Sequence, residues 1–472
     1  MPKSPKRNTT LLIRLLTALI AVLLIANGAV LYLQFKVPTD SAPTVQPTEQ
    51  PTTGTAAPAT EAETEPPTTT LPEPAHVVST ASILSTGDLL MHISVFNSGK
   101  QSDGSYNFDS IFRYITGHVS AADYSVANLE VTFAGTDNGF SYSGYPRFNC
   151  PDALADATKN AGFDMLLTAN NHSYDTTLVG FKRTLEVVRA TGQETLGTYL
   201  SADEQKWTIE EINGIKVGML CYTYATGLGP KGTPRLNDNA EIGEAGICNY
   251  FTYDNLPAFY SEVGGYLEKM KAAGAEATVV YLHWGEEYKW KTGEGPNANQ
   301  TAMAQKLCDM GVDVIVGGHP HVVQPVDLLQ SGTDAEHKTI VLYSMGNAVS
   351  NQRKEEMQQS EPTGHTEDGV LFCVTFAKYS DGSVCVDSAE LIPTWVNMHA
   401  NSGATEYNIL PLEESTAAQW QAQFGLTDTQ LANAKASFDR TQALTLAGME
   451  KVQSYLAQQK QPQENLPLDN AA

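Results

Sequence analysis

The chain has 472 residues, enough for one large core or for two or three domains, with 29 basic against 53 acidic side chains and a net charge of −24. All of the acidic residues and only 24 of the basic ones lie beyond position 36, which argues against a nucleic-acid partner and against loose adhesion to any polyanion. An anionic substrate would need local help, and bound metal ions would supply it.

Residues 1–14 read as a basic cytoplasmic N-terminus, with Lys3, Lys6, Arg7 and Arg14 ahead of an uncharged run from Leu15 to Leu33. That run is long enough to cross a bilayer as a helix, so 15–35 is expected to be a single-pass signal anchor, with everything after it on the outer side of the cell membrane. Ala26-Asn27-Gly28 resembles a small-residue processing site and keeps a cleaved signal peptide open as the alternative. Residues 36–76 are rich in Pro, Thr, Glu and Ala, a composition that cannot bury enough surface to offset ordering entropy, and are expected to form a disordered stalk.

The folded domain is expected over 77–412. Six short apolar runs in it each end in polar, metal-seeking side chains. They are Ser82–Thr86 before Asp88, Tyr124–Ala127 before Glu130, Asp164–Thr168 before Asn170-Asn171-His172, Thr278–Leu282 before His283, Val312–Val316 before His319-Pro320-His321, and Thr339–Tyr343 before Asn347. Such runs read as buried parallel strands, whose carboxyl ends line the ligand crevice of an α/β sheet. Helices are expected at 151–162, 176–191, 255–273 and 297–310, three of them stopped by a following glycine. Two hairpins are expected as well. One joins Trp207–Ile212 to Ile215–Tyr222 through an Asn213-Gly214 type I′ turn, and the other joins Val370–Ala377 to Val384–Leu391 around Asp381-Gly382, so the sheets are mixed. Residues 413–472 read as an accessory helical segment, with helices near 415–423 and 427–459 and a polar tail, packed on the domain or facing a partner. The six cysteines have no CxxC spacing, which disfavours thiolate zinc binding; buried small hydrophobes are expected, with a disulfide open outside the cytoplasm.

Two divalent cations that clamp the oxygens of a hydrolytic displacement need several hard or borderline ligands, and imidazole with carboxylate and amide oxygen suits Mn, Fe or Zn. Asp88 is placed as a terminal or shared carboxylate, with a helix-capping role as the alternative. Glu130 is the candidate bridge. Asn170, Asn171 and His172 follow a strand that would otherwise bury them unpaired, a costly arrangement unless they serve a site. There Asn171 can ligate through its side-chain oxygen and His172 can face the leaving group as an acid. His283 ends a later strand similarly. His319 and His321, two apart, are expected to face one side of an extended loop that Gly317 and Gly318 let approach a metal.

In order and spacing these motifs resemble the CapA family of capsule or poly-γ-glutamate synthesis proteins, whose domain is similar to calcineurin-like metallophosphoesterases. The resemblance covers about Thr80 to Pro393 and implies a metallophosphoesterase-like α/β sandwich. It implies metal ligation by Asp88, Glu130, Asn171, His283, His319 and His321, with His172 as general acid and Asp175 orienting it. Leu90 stands where the wider superfamily has a second ligand, so His92 either reaches a metal or lines the pocket. Glu130 stands where metallophosphoesterases typically have Asp. Glu287, Tyr288, Gln324 and Asn347 match family positions as substrate-side or second-layer groups, unless they only satisfy loop backbone. The implied process is synthesis, export or anchoring of an anionic surface polymer, with a phosphoester or γ-glutamyl substrate and membrane polymer-synthesis subunits as partners. A non-catalytic polymer-binding subunit and a secreted metallophosphatase are the competing readings.

Overall fold

The structure, a computed structural model, describes residues 75–460 apart from 138, 238–240 and 402. The expected cytoplasmic N-terminus, the membrane helix 15–35, the stalk up to residue 74 and the polar tail from 461 lie outside the described residues. Among the described residues no helix is long and apolar enough to cross a membrane.

Strands β1 (Val77–Leu89), β2 (Tyr124–Leu129), β3 (Met165–Leu167) and β4 (Glu194–Leu196) come first, followed by β5 (Thr208–Ile212) and β6 (Ile215–Tyr224). After the short β7 (Gly227–Leu228), β8 (Pro234–Arg235) and β9 (Tyr250–Phe251) come β10 (Ala277–His283), β11 (Val314–Gly318), β12 (Val323–Gln330), β13 (Lys338–Met345) and β14 (Asn347–Val349). The last three are β15 (Asp368–Tyr379), β16 (Val384–Asn401) and β17 (Ala404–Pro411). One sheet runs β17-β16-β15-β1-β2-β3-β4 with β14 on the end of β1, the other β12-β13-β11-β10-β6-β5 with β9 on β6. The six apolar runs divide three to a sheet. β1, β2 and β3 are parallel neighbours in the first, and β10, β11 and β13 in the second.

Period-two alternation makes this a sandwich. Val279 and Tyr281 of β10 enter a core shared with Ile83 of β1 and Val126 of β2, while Val280 and Leu282 face outward. The outward residues of the second sheet pack under α6 (Leu256–Ala272) and α7 (Ala298–Asp309) through Phe259, Val263, Met303 and Leu307. Those of the first sheet pack under α1 (Ile93–Ser98), α2 (Asp109–Phe112), α3 (Thr116–Ala121) and α4 (Ala153–Ala161). Burial on both faces is why the strand runs are continuously apolar. The four expected domain helices appear as α4, α5 (Thr177–Ala190), α6 and α7, their ends within two residues of expectation. Asn213 at φ 51° and Gly214 at φ 81° make the type I′ turn. All six cysteines are free, with Cys385 exposed and Cys373 half-buried.

Beyond the expected second hairpin, β16 runs on to Asn401 and pairs with β17, a strand that the sequence reading does not contain. Residues 413–460 include α8 (Trp420–Phe424) and α9 (Asp428–Gln459), both packed on the domain. Val452 and Leu456 of α9 enter the core between the sheets, and a Cβ at Gly448 would overlap the Val326 carbonyl of β12.

Candidate metal centre

Strand register assembles the site. Asp88 of β1 lies opposite Asn128 of β2 and Asn347 of β14, and His283 of β10 lies opposite Gly318 of β11. These two rows, one from each sheet, meet at their carboxyl ends. Space is tight at Gly318, where a Cβ would stand 3.1 Å from Asp88 Oδ1. A Cβ at Gly317 would overlap the Tyr343 carbonyl and the Trp284 indole, so both glycines serve close approach.

Two groups of ligand-type atoms result, Glu130–His283–His319 and Asp88–Glu130–His321, the atoms within each lying within 4.8 Å of one another. Glu130, fully buried just past β2, belongs to both, and neither of its carboxylate oxygens has a hydrogen-bond partner. Its Oε1 stands 3.4 Å from His283 Nε2 and 3.7 Å from His321 Nε2. Burial, and then the charge of Asp88, pushes its carboxyl well above the usual carboxylate range. An unpaired buried carboxylate is costly, and a cation between the histidines would offset that cost.

Three of the other donors, His283, His319 and Asp88, stand in the protonation states that ligation needs. Burial holds the His283 imidazole down to about 3 and His319 well below the usual histidine range, so both are neutral. Burial opposes ionisation of Asp88, but hydrogen bonding and charge from His321 outweigh it and hold its carboxyl below the usual range. Asn128 Nδ2 donates to Asp88 Oδ1 at 2.7 Å, and His283 Nε2 faces Asn171 Oδ1 at 2.7 Å. His321 Nδ1 lies 3.1 Å from both Asp88 Oδ2 and Asn347 Oδ1. Asn347 Nδ2 donates to the carbonyls of His321 and Thr366 and to Gln352 Oε1, which fixes its Oδ1 as the acceptor. Nδ1 of His321 therefore carries a proton; burial opposes the charged ring, but hydrogen bonding and charge from Asp88 outweigh it and raise its pKa, so Nε2 would give up its own proton to a metal. Nδ1 of His319 is buried without a partner. The donor set of carboxylate, imidazole and amide oxygen fits Mn, Fe or Zn.

The loop carrying His319 and His321 is not extended. Both residues have positive φ, 94° and 55°, and their rings stand 6.0 Å apart, one in each ligand group. A turn of left-handed residues puts imidazoles two apart into different ligand groups, where a flat strand would have stacked them on one side.

His172 stands beside the centre, its Nδ1 2.7 Å from Asp175 Oδ2, which also accepts from the Phe148 amide at 2.8 Å. The Phe148 ring packs edge-on at 4.7 Å, and Asn237 Nδ2 lies 3.3 Å from the same nitrogen. His92, which caps α1, is in neither ligand group. Its Nδ1 accepts from the Asn351 amide at 3.2 Å, leaving a proton on Nε2 of the neutral ring, and burial lowers it to about 4. Its ring packs edge-on against Phe148 at 5.3 Å. Asp88 lies within β1 and caps no helix. Asn170 braces the turn, donating to the Leu129 carbonyl at 2.8 Å and accepting from the His172 amide at 3.1 Å.

Glu287 is exposed on the rim, and its charge acts on both Glu130 and His321. Tyr288 lies 6.2 Å from the His321 ring, and its hydroxyl accepts from Gln352 Nε2 at 3.3 Å. Gln324 is buried in a ladder, accepting from Gln300 at 2.8 Å and donating to the Lys289 carbonyl at 2.7 Å, so it shapes the loop after His283. Sequence reasoning missed Asn128, Phe148 and Asn237 as site residues. Asn128 had a signal, a buried amide ending an apolar strand; the other two had none.

Fold and site define a two-sheet α/β protein with a candidate two-metal centre at the carboxyl edges of both sheets. Residues 82–352 match the family of bacterial capsule synthesis proteins PGA_cap, over half of the chain, and the chain belongs to that family. It is 28% identical over 269 residues to the capsule biosynthesis protein CapA of Bacillus anthracis, covering 56% of this chain and 59% of that one. It is likewise 28% identical over 271 residues to the PGA biosynthesis protein CapA of Bacillus subtilis (strain 168), covering 56% and 62%. The chain thus spans under two thirds of either relative. Among solved structures it is similar to the calcineurin-like phosphoesterase YfkN of Bacillus subtilis, with 15% identity and a TM-score of 0.33, over 77% of this chain and 100% of that one.

Proposed function

We propose that the chain is a metal-dependent hydrolase acting in the synthesis, export or anchoring of a capsular polymer, anchored by residues 15–35 with its domain outside the membrane. The observation that carries the hydrolase reading is Glu130, buried among three imidazoles with both oxygens unpartnered. Asp88, Glu130, Asn171, His283, His319 and His321 would hold two divalent ions, which supply Lewis acidity and a nucleophile at neutral pH. The reaction adds water across a phosphoester or amide-type bond. His172 gives its Nε2 proton to the departing oxygen or nitrogen, and Asp175 at Nδ1 stabilises the imidazolium before the transfer. Hydrophobic walls from Phe148 keep that pair dry.

Metal analysis of the purified chain, with assays on a panel of phosphoesters and γ-glutamyl peptides, tests the reading. Two equivalents of Mn, Fe or Zn and chelator-sensitive cleavage, lost in a folded Asn171→Ala variant, are expected. A folded, metal-free and inert protein that binds polymer would replace the hydrolase by an assembly subunit. Protease added to intact cells should release the domain; full protection would overturn its placement outside the membrane.

A further inference from the structure

Beside the candidate metal centre lies an open cavity of about 770 Å³ whose inner wall is His319, the buried imidazole with the unpartnered Nδ1. The Tyr224 ring stands 4.7 Å from His319 and 6.5 Å from the nearly parallel ring of Tyr253. Asp254, Glu286 and Glu287 complete the wall, and among the described residues no lysine or arginine lines the cavity. This is the wrong lining for a stretch of polyanion. Three carboxylates repel negative charge, and the chain as a whole is at −24. It suits a cation, which gains from carboxylates and from aromatic faces together.

Charge at the centre points the same way. Asp88 and Glu130 bring two negative charges against the four positive charges of two divalent ions, so a loaded centre favours an electron-rich group while the adjoining cavity favours a cation. We propose that the cavity is a subsite for a primary ammonium group, so that the substrate is zwitterionic around its reacting bond. A free amino end or an amine-bearing headgroup would sit against Tyr224, Tyr253, Asp254 and Glu286, and the phosphoryl or acyl group at the metals. The zwitterion rests on the hydrolase reading; the ammonium subsite stands without it.

The test compares probes of one size on the full chain. With Mn²⁺ bound, O-phosphoethanolamine should bind about tenfold more tightly than ethyl phosphate, as a partly desolvated cation–π contact provides, and phosphoglycolate should be weakest. In the double variant Asp254→Asn, Glu286→Gln the ammonium preference should vanish while ethyl phosphate binding holds. On chelator-treated protein, saturation-transfer NMR should still find n-butylammonium preferred over butanol in the parent and not in the variant. Metal-dependent phosphate binding indifferent to the tail would overturn the subsite and leave the hydrolase reading intact. Ammonium preference without any phosphate binding to Mn²⁺-treated protein would do the reverse.

Discussion

Glu130 is the side chain most sensitive to a cation, because its buried carboxyl can ionise cheaply only beside one. Its carboxyl is buried, unpartnered and next to the charge of Asp88. A ligand that destabilises its own empty site has a recognisable signature in mutagenesis. Glu130→Met removes a buried, unsatisfied carboxyl group at similar size and orphans no hydrogen-bond partner, so chelator-treated variant should be more stable than chelator-treated parent by about 1–3 kcal/mol. Metal content of the variant should fall. Calorimetric or denaturant unfolding of both proteins checks this, and a less stable metal-free variant would mean that the carboxylate is already satisfied. The same burial logic explains what was legible in the residues. Asp88, Asn171 and His283 stood out because a polar side chain directly after an apolar run must be satisfied or functional. Asn128 is less visible because Glu130, two residues on, carries the stronger ligand signal of the same motif. The positive φ of His319 and His321 could not be read, since histidine carries no backbone signal of the kind that glycine does.

Among the elements, α9 was legible in extent but not in role. Thr427 and Gln430 form a capping box and the helix ends at Gln459, as expected from the sequence. Its buried face, however, includes Ala434, Ser437, Thr441 and Thr445, which form no apolar stripe to announce a core-facing helix. Polar contacts complete the attachment. Arg440 Nε donates to Asp368 Oδ2 at 2.7 Å and Ser437 Oγ donates to Oδ1 at 2.6 Å. Asp368 opens β15, and the following Gly369 bridges to Gly346, next to Asn347 in the candidate centre. Burial pushes the Asp368 carboxyl up to about 6, although Arg440 pulls the other way. With an unfolded value near 3.9, the folded state holds this proton more tightly, so its ionisation costs stability as pH rises from about 4 to about 6, and the full cost applies above that window. Arg440→Ala leaves a buried carboxylate without its cation and should cost about 3 kcal/mol at pH 8. At pH 5, where Asp368 is protonated, the deficit should shrink markedly. Denaturant unfolding at the two pH values measures it, and an equal deficit at both would mean that the charge pair does not hold the helix.

For the molecule as a whole, the motifs and the folding unit do not share boundaries. The family match ends at residue 352, yet β1, which carries Asp88, lies between β2 and β15, and β15 starts at Asp368. Val370, Phe372, Val374 and Phe376 of β15 are part of the core between the sheets. A chain of residues 75–352 would leave β1 with an open edge and the core without that wall, and should be insoluble. A chain of residues 75–412 keeps both sheets but loses Trp420, Phe424, Val452 and Leu456, all buried against the domain. Each contributes about 1.5–3 kcal/mol of apolar burial, so together they approach the whole 5–15 kcal/mol of a domain's stability. The chain of residues 75–460 should unfold in one cooperative transition, whereas the 75–412 chain should have lost most of that cooperativity or should aggregate. Thermal unfolding followed by circular dichroism distinguishes them. If the shorter chain melts like the longer one, the C-terminal helices are an appendage, and the path from α9 through Asp368 and Gly369 to Asn347 carries no stability to the candidate centre.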